Sequence, residues 1–310
     1  MSDKPALLIM QPHLAFLGPV LEADFTVWRF WEGPPLEATE TIEALVVAGE
    51  FPVDKHLAES LPQLGMIACF TSGFDGVDLV WARERGLKVT HSPGANSEDV
   101  ADHAMGLILA AWRRIAEGDR LLRAGGWKPQ EKMITPSLRG RRLGIVGLGG
   151  IGVALAERAA AFGVEISWWG PRRKPDAPWS RAETLLELAR ASDILVVACR
   201  VTEETRGLVT REVIEAVGPD GLLVNVSRGQ VVDEDALIAA LKDGRLGMAA
   251  LDVFAEEPTP PERWKDVPNT VLTPHTAGAT HAAVPRMIAL TRENLRRFFA
   301  GEDLVNPVAD

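Results

Sequence analysis

The 310 residues are 46% hydrophobic and 25% charged, an ordinary globular composition with length for about two domains, which excludes a disordered or fibrous chain. A formal net charge of −10 argues against a general nucleic-acid binder, because phosphate affinity needs concentrated Lys and Arg; a site for an anionic substrate must then be locally basic. From Met1 to His13 there is only the short apolar run Leu7–Met10, preceded by Asp3, so neither a signal-peptide core nor a membrane span is expected, and the cytoplasm is the expected location.

Along the first hundred residues short β-rich runs alternate with helical stretches. Leu7–Met10, Phe25–Phe30, Ala44–Val47, Met66–Phe70 and Lys88–Thr90 read as strands of a small parallel α/β unit. From Asn96 the pattern becomes helical. Asn96 can cap, Glu98 and Asp99 suit a first turn, and Val100, Ala104, Leu107, Ile108 and Trp112 continue an apolar face. This long helix reads as a crossover between two domains, with His103 a packing residue near its start. The irregular stretch Gly125–Gly140 then gives way to a second α/β series, with strands expected at Leu143–Val146, Val164–Trp169, Ile194–Ala198, Leu222–Val226, Ala249–Leu251 and Val271–Thr273. Near-continuous apolar strands imply parallel sheets covered on both faces. The two cysteines, Cys69 and Cys199, each fall in a strand-like run and suit buried free thiols rather than a disulfide or a metal cluster.

The strongest motif is Gly147-Leu148-Gly149-Gly150-Ile151-Gly152, between the strand LGIV and the helix GVALAERAAAF. Gly147 permits a tight turn, Gly149 lets backbone N–H groups approach a pyrophosphate, and Gly152 lets helix pack on strand, so a dinucleotide fits. An NAD site would carry an acid about 20 residues on, to hold the ribose 2′-hydroxyl. Here the strand VEISWW ends in Gly170-Pro171-Arg172-Arg173-Lys174, with glycine at the acidic position and three cations after it. Guanidinium groups pair with a 2′-phosphate, which makes NADPH the expected cofactor; a basic turn facing water is the ordinary alternative.

Three segments near the end of the second series place charged residues just past buried strands: Arg228 in NVSRGQVVDEDAL, Glu257 in ALDVFAEEP and His275 in LTPHTAGAT. Hydride transfer to a ketone leaves charge on oxygen, so a proton donor titrating near neutrality is needed, and His275 suits it. A carboxylate on its far ring nitrogen, Glu257, would stabilise the imidazolium. Arg228 can clamp a substrate carboxylate and polarise the adjacent carbonyl. Taken singly, each has a structural use, as a helix cap, a solvated loop acid and a buried histidine; their joint occurrence downstream of a dinucleotide loop points to one site.

These motifs, together with TSGFDGVD and SPGANSEDVADHAMGLILA in the same order, resemble the D-isomer-specific 2-hydroxyacid dehydrogenase family over nearly the whole chain. The resemblance implies two Rossmann-like or flavodoxin-like α/β domains with an active site in the cleft between them. Residues 1–98, completed by 283–310 with the terminal helix VPRMIALTRENLRRFFAG, would bind substrate, and 99–282 would bind NADP. It implies Arg228, Glu257 and His275 as catalytic residues, Glu257 rather than Glu256 because it directly precedes Pro258. It places the substrate carboxylate on backbone N–H groups of Ser72 and Gly73, beside Arg228. Cofactor contacts are expected from Gly147, Gly149, Gly150, Ile151, Gly152, Arg172, Arg173, Cys199, Arg200, Thr205, Asp252 and Gly278. Gly170-Pro171 and VACRVTEET resemble the NADPH-linked glyoxylate and hydroxypyruvate reductase branch. The expected activity is therefore reduction of a small 2-keto acid, with a larger keto acid such as phenylpyruvate, or a dinucleotide-sensing binding module, as alternatives. Family members are usually dimers, and the stretch around Trp127 could embrace a second copy.

Overall fold

The alternation of apolar runs with helical stretches forms two compact α/β units, one of Met1–Asn96 with Thr280–Asp310 and one of Ser97–Ala279. The structure, a computed structural model, describes residues 4–33 and 39–308, so Asp3 lies outside it.

Among the described residues the first unit holds five parallel strands, β1 (Ala6–Ile9), β2 (Thr26–Arg29), β3 (Ile42–Val47), β4 (Met66–Cys69) and β5 (Lys88–Thr90). Their spatial order is β2-β1-β3-β4-β5. β1 and β4 are buried at every position, and β3 at all but Glu43, as a sheet covered on both faces requires. On one face the helix Ala283–Ala300 inserts Ala283, Met287 and Leu295 among Leu7, Ile9, Ala44 and Val46. The chain after that helix returns to the sheet edge, where Val308 N–H donates to the Val89 carbonyl at 2.8 Å and Pro307 bridges Thr90 antiparallel. The loops after β3 and β4 are laced together. Gly76 N–H donates to the Gly49 carbonyl at 2.8 Å, and a Cβ at Gly49 would stand 2.1 Å from the Gly73 oxygen, so only glycine admits this approach.

The second unit begins with helix α1 (Ser97–Trp112), which has Glu98 and Asp99 in its first turn and is followed by α2 (Ile115–Arg123). Seven parallel strands follow: β6 (Arg142–Val146), β7 (Glu165–Trp169), β8 (Ser180–Arg181), β9 (Ile194–Val197), β10 (Leu222–Asn225), β11 (Met248–Leu251) and β12 (Thr270–Leu272). Their order is β12-β11-β10-β9-β6-β7-β8. The chain therefore winds outward in both directions from β6, and the crevice between the carboxyl ends of β6 and β9 is the topological switch point where open sheets bind ligands. Val100, Ala104, Leu107 and Ile108 of α1 are buried with Ile145, Val196 and Val224 of the sheet.

All eleven strands expected from the sequence are present, with ends displaced by at most two residues. Phe30, expected at the end of the second strand, instead opens a 3₁₀ turn over Phe30–Glu32. β8 was not anticipated, because two residues carry no periodicity. It is held by the Ala182 N–H on the Trp168 carbonyl at 2.8 Å and by Arg181 Nη2 on the Gly170 carbonyl at 2.8 Å.

Candidate active site

β6 ends at Val146, and the chain turns at Gly147 with φ +94°, where a Cβ would stand 2.6 Å from Cys199 Cα just past β9. Glycine is thus imposed twice, by handedness and by the neighbouring strand end. Helix α3 (Gly150–Ala160) starts directly after this turn; its N-cap is Gly149, with no side-chain cap, so its first-turn N–H groups lack intrahelical acceptors. A Cβ on Gly149 would meet nothing within 4 Å, whereas one on Gly152 would stand 2.2 Å from the Gly147 oxygen. The loop is therefore packed on its strand side through Gly152 and open beside Gly149. That is the form an anion cradle takes.

Arg172, Arg173 and Lys174 lie exposed on the turn after β7. The Lys174 ammonium donates to the Leu148 carbonyl, drawing the basic turn against the glycine loop. Gly170 is buried, and its carbonyl is taken by Arg181, a cation that sequence reasoning missed and whose guanidinium also lies 5.8 Å from the Trp168 ring centroid. Cys199, expected buried, is partly exposed, and burial still pushes its thiol up to about 11. Cys69 is buried as expected, and burial raises its thiol further. The hydroxyl of Thr205 accepts from the Thr202 N–H at 2.7 Å and faces the Arg200 carbonyl at 2.7 Å, so it braces the loop that carries Arg200.

Arg228, Glu257 and His275 come together in this unit. Arg228 follows β10 in a segment ordered by Asn225, whose Oδ1 accepts from Ser227 N–H at 3.0 Å and whose Nδ2 donates to the Arg228 carbonyl at 3.0 Å. Next to it, a Cβ at Gly229 would stand 1.9 Å from the Phe254 carbonyl carbon, so glycine is what lets the Arg228 segment lie on the loop after β11. That loop is fixed in turn by the buried Glu234, which accepts from Ala255 N–H at 2.8 Å and pairs with Arg263. Glu257 accepts from Phe254 N–H at 2.9 Å through Oε1 and lies 2.6 Å from His275 Nδ1 through Oε2. An ionised carboxylate can only accept, so Nδ1 carries the proton in this contact and Nε2 is the exchanging nitrogen. Burial pushes the Glu257 carboxyl up, but the His275 bond, the Phe254 N–H and the charges of His275 and Arg228 outweigh it and hold the group below its ordinary value of 4.5.

His275 itself has φ +51°, a left-handed conformation that costs a non-glycine residue roughly 1–2 kcal/mol. Its N–H donates to the Asp252 carbonyl at 2.8 Å. Asp252, expected among cofactor contacts, is 1% exposed and has both carboxylate oxygens occupied: Oδ1 by Thr273 Oγ1 at 2.6 Å and Thr276 N–H at 3.0 Å, Oδ2 by Ala277 N–H at 2.9 Å. Burial raises its pKa, and hydrogen bonds from His103, Thr273, Ala277 and Thr276 overcome that and lower it. Its work in this structure is to shape the loop that presents His275, with Gly278 one residue beyond the clamp. His103, read from sequence as a packing residue, is a member of the same cluster, with Nε2 2.9 Å from Thr273 Oγ1. The signal for it was a histidine where the helix passes from an acidic first turn to apolar residues.

In the first unit, Ser72 Oγ is committed to the Ser92 carbonyl at 2.6 Å and lies 2.8 Å from Asn96 Oδ1, while the Ser72 carbonyl accepts from His91 Nδ1 at 2.8 Å. With the hydroxyl engaged, the groups the loop offers a ligand are the backbone N–H groups of Ser72 and Gly73, which bond no other described residue.

Residues 105–277 match the model of the D-isomer specific 2-hydroxyacid dehydrogenase NAD binding domain. The chain is 42% identical over 308 residues to a hydroxyphenylpyruvate reductase of Plectranthus scutellarioides, covering 97% of this chain and 98% of that protein. It is also 42% identical to a glyoxylate/hydroxypyruvate reductase A of Arabidopsis thaliana, with the same coverage. A solved NADPH-dependent glyoxylate/hydroxypyruvate reductase from Sinorhizobium meliloti, in complex with NADP and malonate, superposes with a TM-score of 0.90 at 34% identity, covering 99% of this chain and 97% of that one. The chain belongs to the D-isomer-specific 2-hydroxyacid dehydrogenase family. It is thereby an oxidoreductase that reduces 2-keto acids with a nicotinamide dinucleotide. Among the described residues, no helix is long and apolar enough to cross a membrane.

The lowered Glu257 pKa sets the sign of a pH effect. A carboxyl depressed on folding contributes stability that is complete above its ordinary value of 4.5 and is lost as pH falls through the lowered folded value. Urea midpoints of wild type and Glu257→Gln, compared across that window, should differ at neutral pH and converge in acid. A difference that stays constant with pH would contradict the ion pair.

Proposed function

We propose that this chain is an NADPH-dependent reductase of small 2-keto acids, glyoxylate and hydroxypyruvate foremost, acting in the cytoplasm. The observation that carries this reading is the convergence of Arg228, Glu257 and His275 past the carboxyl ends of β10, β11 and β12, in the sheet that also carries the glycine loop. The uncapped start of α3 and the open side of Gly149 fit a pyrophosphate, held by N–H groups of Gly149, Gly150, Ile151 and Gly152. Arg172 and Arg173 would take the 2′-phosphate, with Cys199, Arg200 and Gly278 lining the rest of the site and Thr205 and Asp252 bracing its loops. When bound, the reduced cofactor supplies the hydride.

The chain's own groups do the rest. The Arg228 guanidinium holds the substrate carboxylate and polarises the adjacent carbonyl, and the backbone N–H groups of Ser72 and Gly73 are donors of the kind a carboxylate accepts. His275 Nε2 gives its proton to the carbonyl oxygen as charge develops there. Glu257 on Nδ1 orients the ring and balances the positive charge it carries before transfer. Trp127 (70%), Ile134 (90%) and Leu122 are each exposed on the second unit, and apolar exposure of this kind supports a homodimer. The 42% identity to a hydroxyphenylpyruvate reductase favours, as a second reading, a keto acid with a larger side chain.

Initial rates with glyoxylate, hydroxypyruvate, phenylpyruvate and 4-hydroxyphenylpyruvate, each with NADPH and NADH, decide among these. The proposal expects the two small acids with NADPH to be fastest; a preference for the aromatic acids would install the second reading. Gly170 has no positive φ, and a Cβ there would meet only the Trp168 ring at 3.4 Å, so Gly170→Asp should fold and shift preference toward NADH. Unchanged preference would remove the Gly170–Lys174 turn from cofactor selection. His275→Gln should lower kcat by about 10²–10⁴ with cofactor binding retained, and near-normal turnover would remove His275 from the chemistry.

A further inference from the structure

Three polar side chains in the second unit form a chain of hydrogen bonds whose direction can be worked out. Thr273 has one hydroxyl hydrogen, and the 2.6 Å contact to the Asp252 carboxylate, which can only accept, claims it. The contact of 2.9 Å between Thr273 Oγ1 and His103 Nε2 must then have the hydrogen on His103. His103 Nε2 also lies 3.4 Å from Asp252 Oδ1. The sequence of donation is His103 to Thr273 to Asp252, and it ends on the carboxylate that receives the Thr276 and Ala277 N–H groups on the far side of His275. Between those anchors His275 keeps its left-handed backbone, with its own N–H on the Asp252 carbonyl.

The arrangement has a reason in the chain path. Asp252 and Thr273 lie just past the adjacent strands β11 and β12, so both could shift together with the loops they belong to. His103 comes from α1, the 16-residue helix whose buried face packs on this sheet, and it is the side chain in the cluster carried by a regular element. We propose that His103 is a positioning residue for His275: by donating to Thr273 it ties the Asp252 clamp to α1 and fixes the turn from which the imidazole extends. This inference rests on the reading of His275 as the proton donor.

The role differs from packing in what it should move. Loss of the donor should leave the binding of both reactants intact and reduce the fraction of complexes with the imidazole in place, because small misplacements of a catalytic group act on turnover. His103→Leu keeps the apolar stem and removes the donor, whereas His103→Gln keeps an N–H donor at comparable reach. The expected result for His103→Leu is kcat lowered roughly five- to thirtyfold with both KM values within about twofold, and recovery of most of that loss in His103→Gln. Amide hydrogen exchange, read without cofactor or substrate, should quicken at Thr276 and Ala277 in His103→Leu and return toward wild type in His103→Gln. If His103→Leu does not fold, Thr273→Val, which breaks the same chain at its middle member, should give both effects.

Wild-type turnover with 2-keto acids is the control for the proposed function itself, and its absence would overturn that reading while the exchange measurement still judged the clamp. Exchange at Thr276 and Ala277 unchanged in His103→Leu, or equal losses of kcat in the Leu and Gln variants, would overturn the role given to His103.

Discussion

The second unit's site depends on one buried carboxylate. Asp252 lies at the carboxyl end of β11 with almost no solvent contact, where an unsatisfied charge would be very costly. It is tolerated because a hydroxyl and two backbone N–H groups converge on it from the segment Thr273–Ala277. The cost of burying the charge and the order of that segment are therefore coupled: the loop satisfies the acid, and the acid holds the loop. The strained conformation of His275 is maintained inside this arrangement, consistent with strained backbone persisting only where the surroundings over-determine it.

Two further contacts extend the same logic to the neighbouring strands. Gly229 lets the Arg228 segment lie on the backbone of Phe254, and Glu234 holds the next residue, Ala255, from the start of the following helix. Glu257, at the far end of that loop, meets His275 through one oxygen and the loop's own Phe254 N–H through the other. The segments that carry a cation, an anion and an imidazole are thus set by backbone packing among three adjacent strand ends. Catalytic groups on such short supports need little reorganisation when charge develops, which is the electrostatic advantage of a preorganised site.

Much of this was legible in the sequence. Eleven short apolar runs gave the two parallel sheets, and the spacing of Gly147, Gly149 and Gly152 gave the turn at the switch point, because each of those features follows from local periodicity or from backbone freedom. The placement of Arg228, Glu257 and His275 after successive strands also pointed to one neighbourhood. What could not be read was which polar residues brace the others. Thr205 and Asp252, expected as ligand contacts, also hold their own loops, and His103, expected to pack, donates into the Asp252 cluster. The Asp252 and His103 roles are fixed by contacts between residues far apart in the chain, for which a single sequence carries no periodic signal, whereas Thr205 closes a local turn on Thr202 and Arg200. The two-residue strand β8, and with it the position of Arg181 beneath the basic turn, was hidden for the same reason.

Glu257 holds the proton on Nδ1 of His275, leaving Nε2 as the nitrogen that exchanges it. Nitrogen-15 NMR of the histidine side chains, with His275 assigned by its absence in His275→Gln, reads this directly. The expected result is a protonated, pyrrole-type Nδ1 throughout the titration, with the large shift change on Nε2. A pyridine-type Nδ1 in the neutral ring would contradict it.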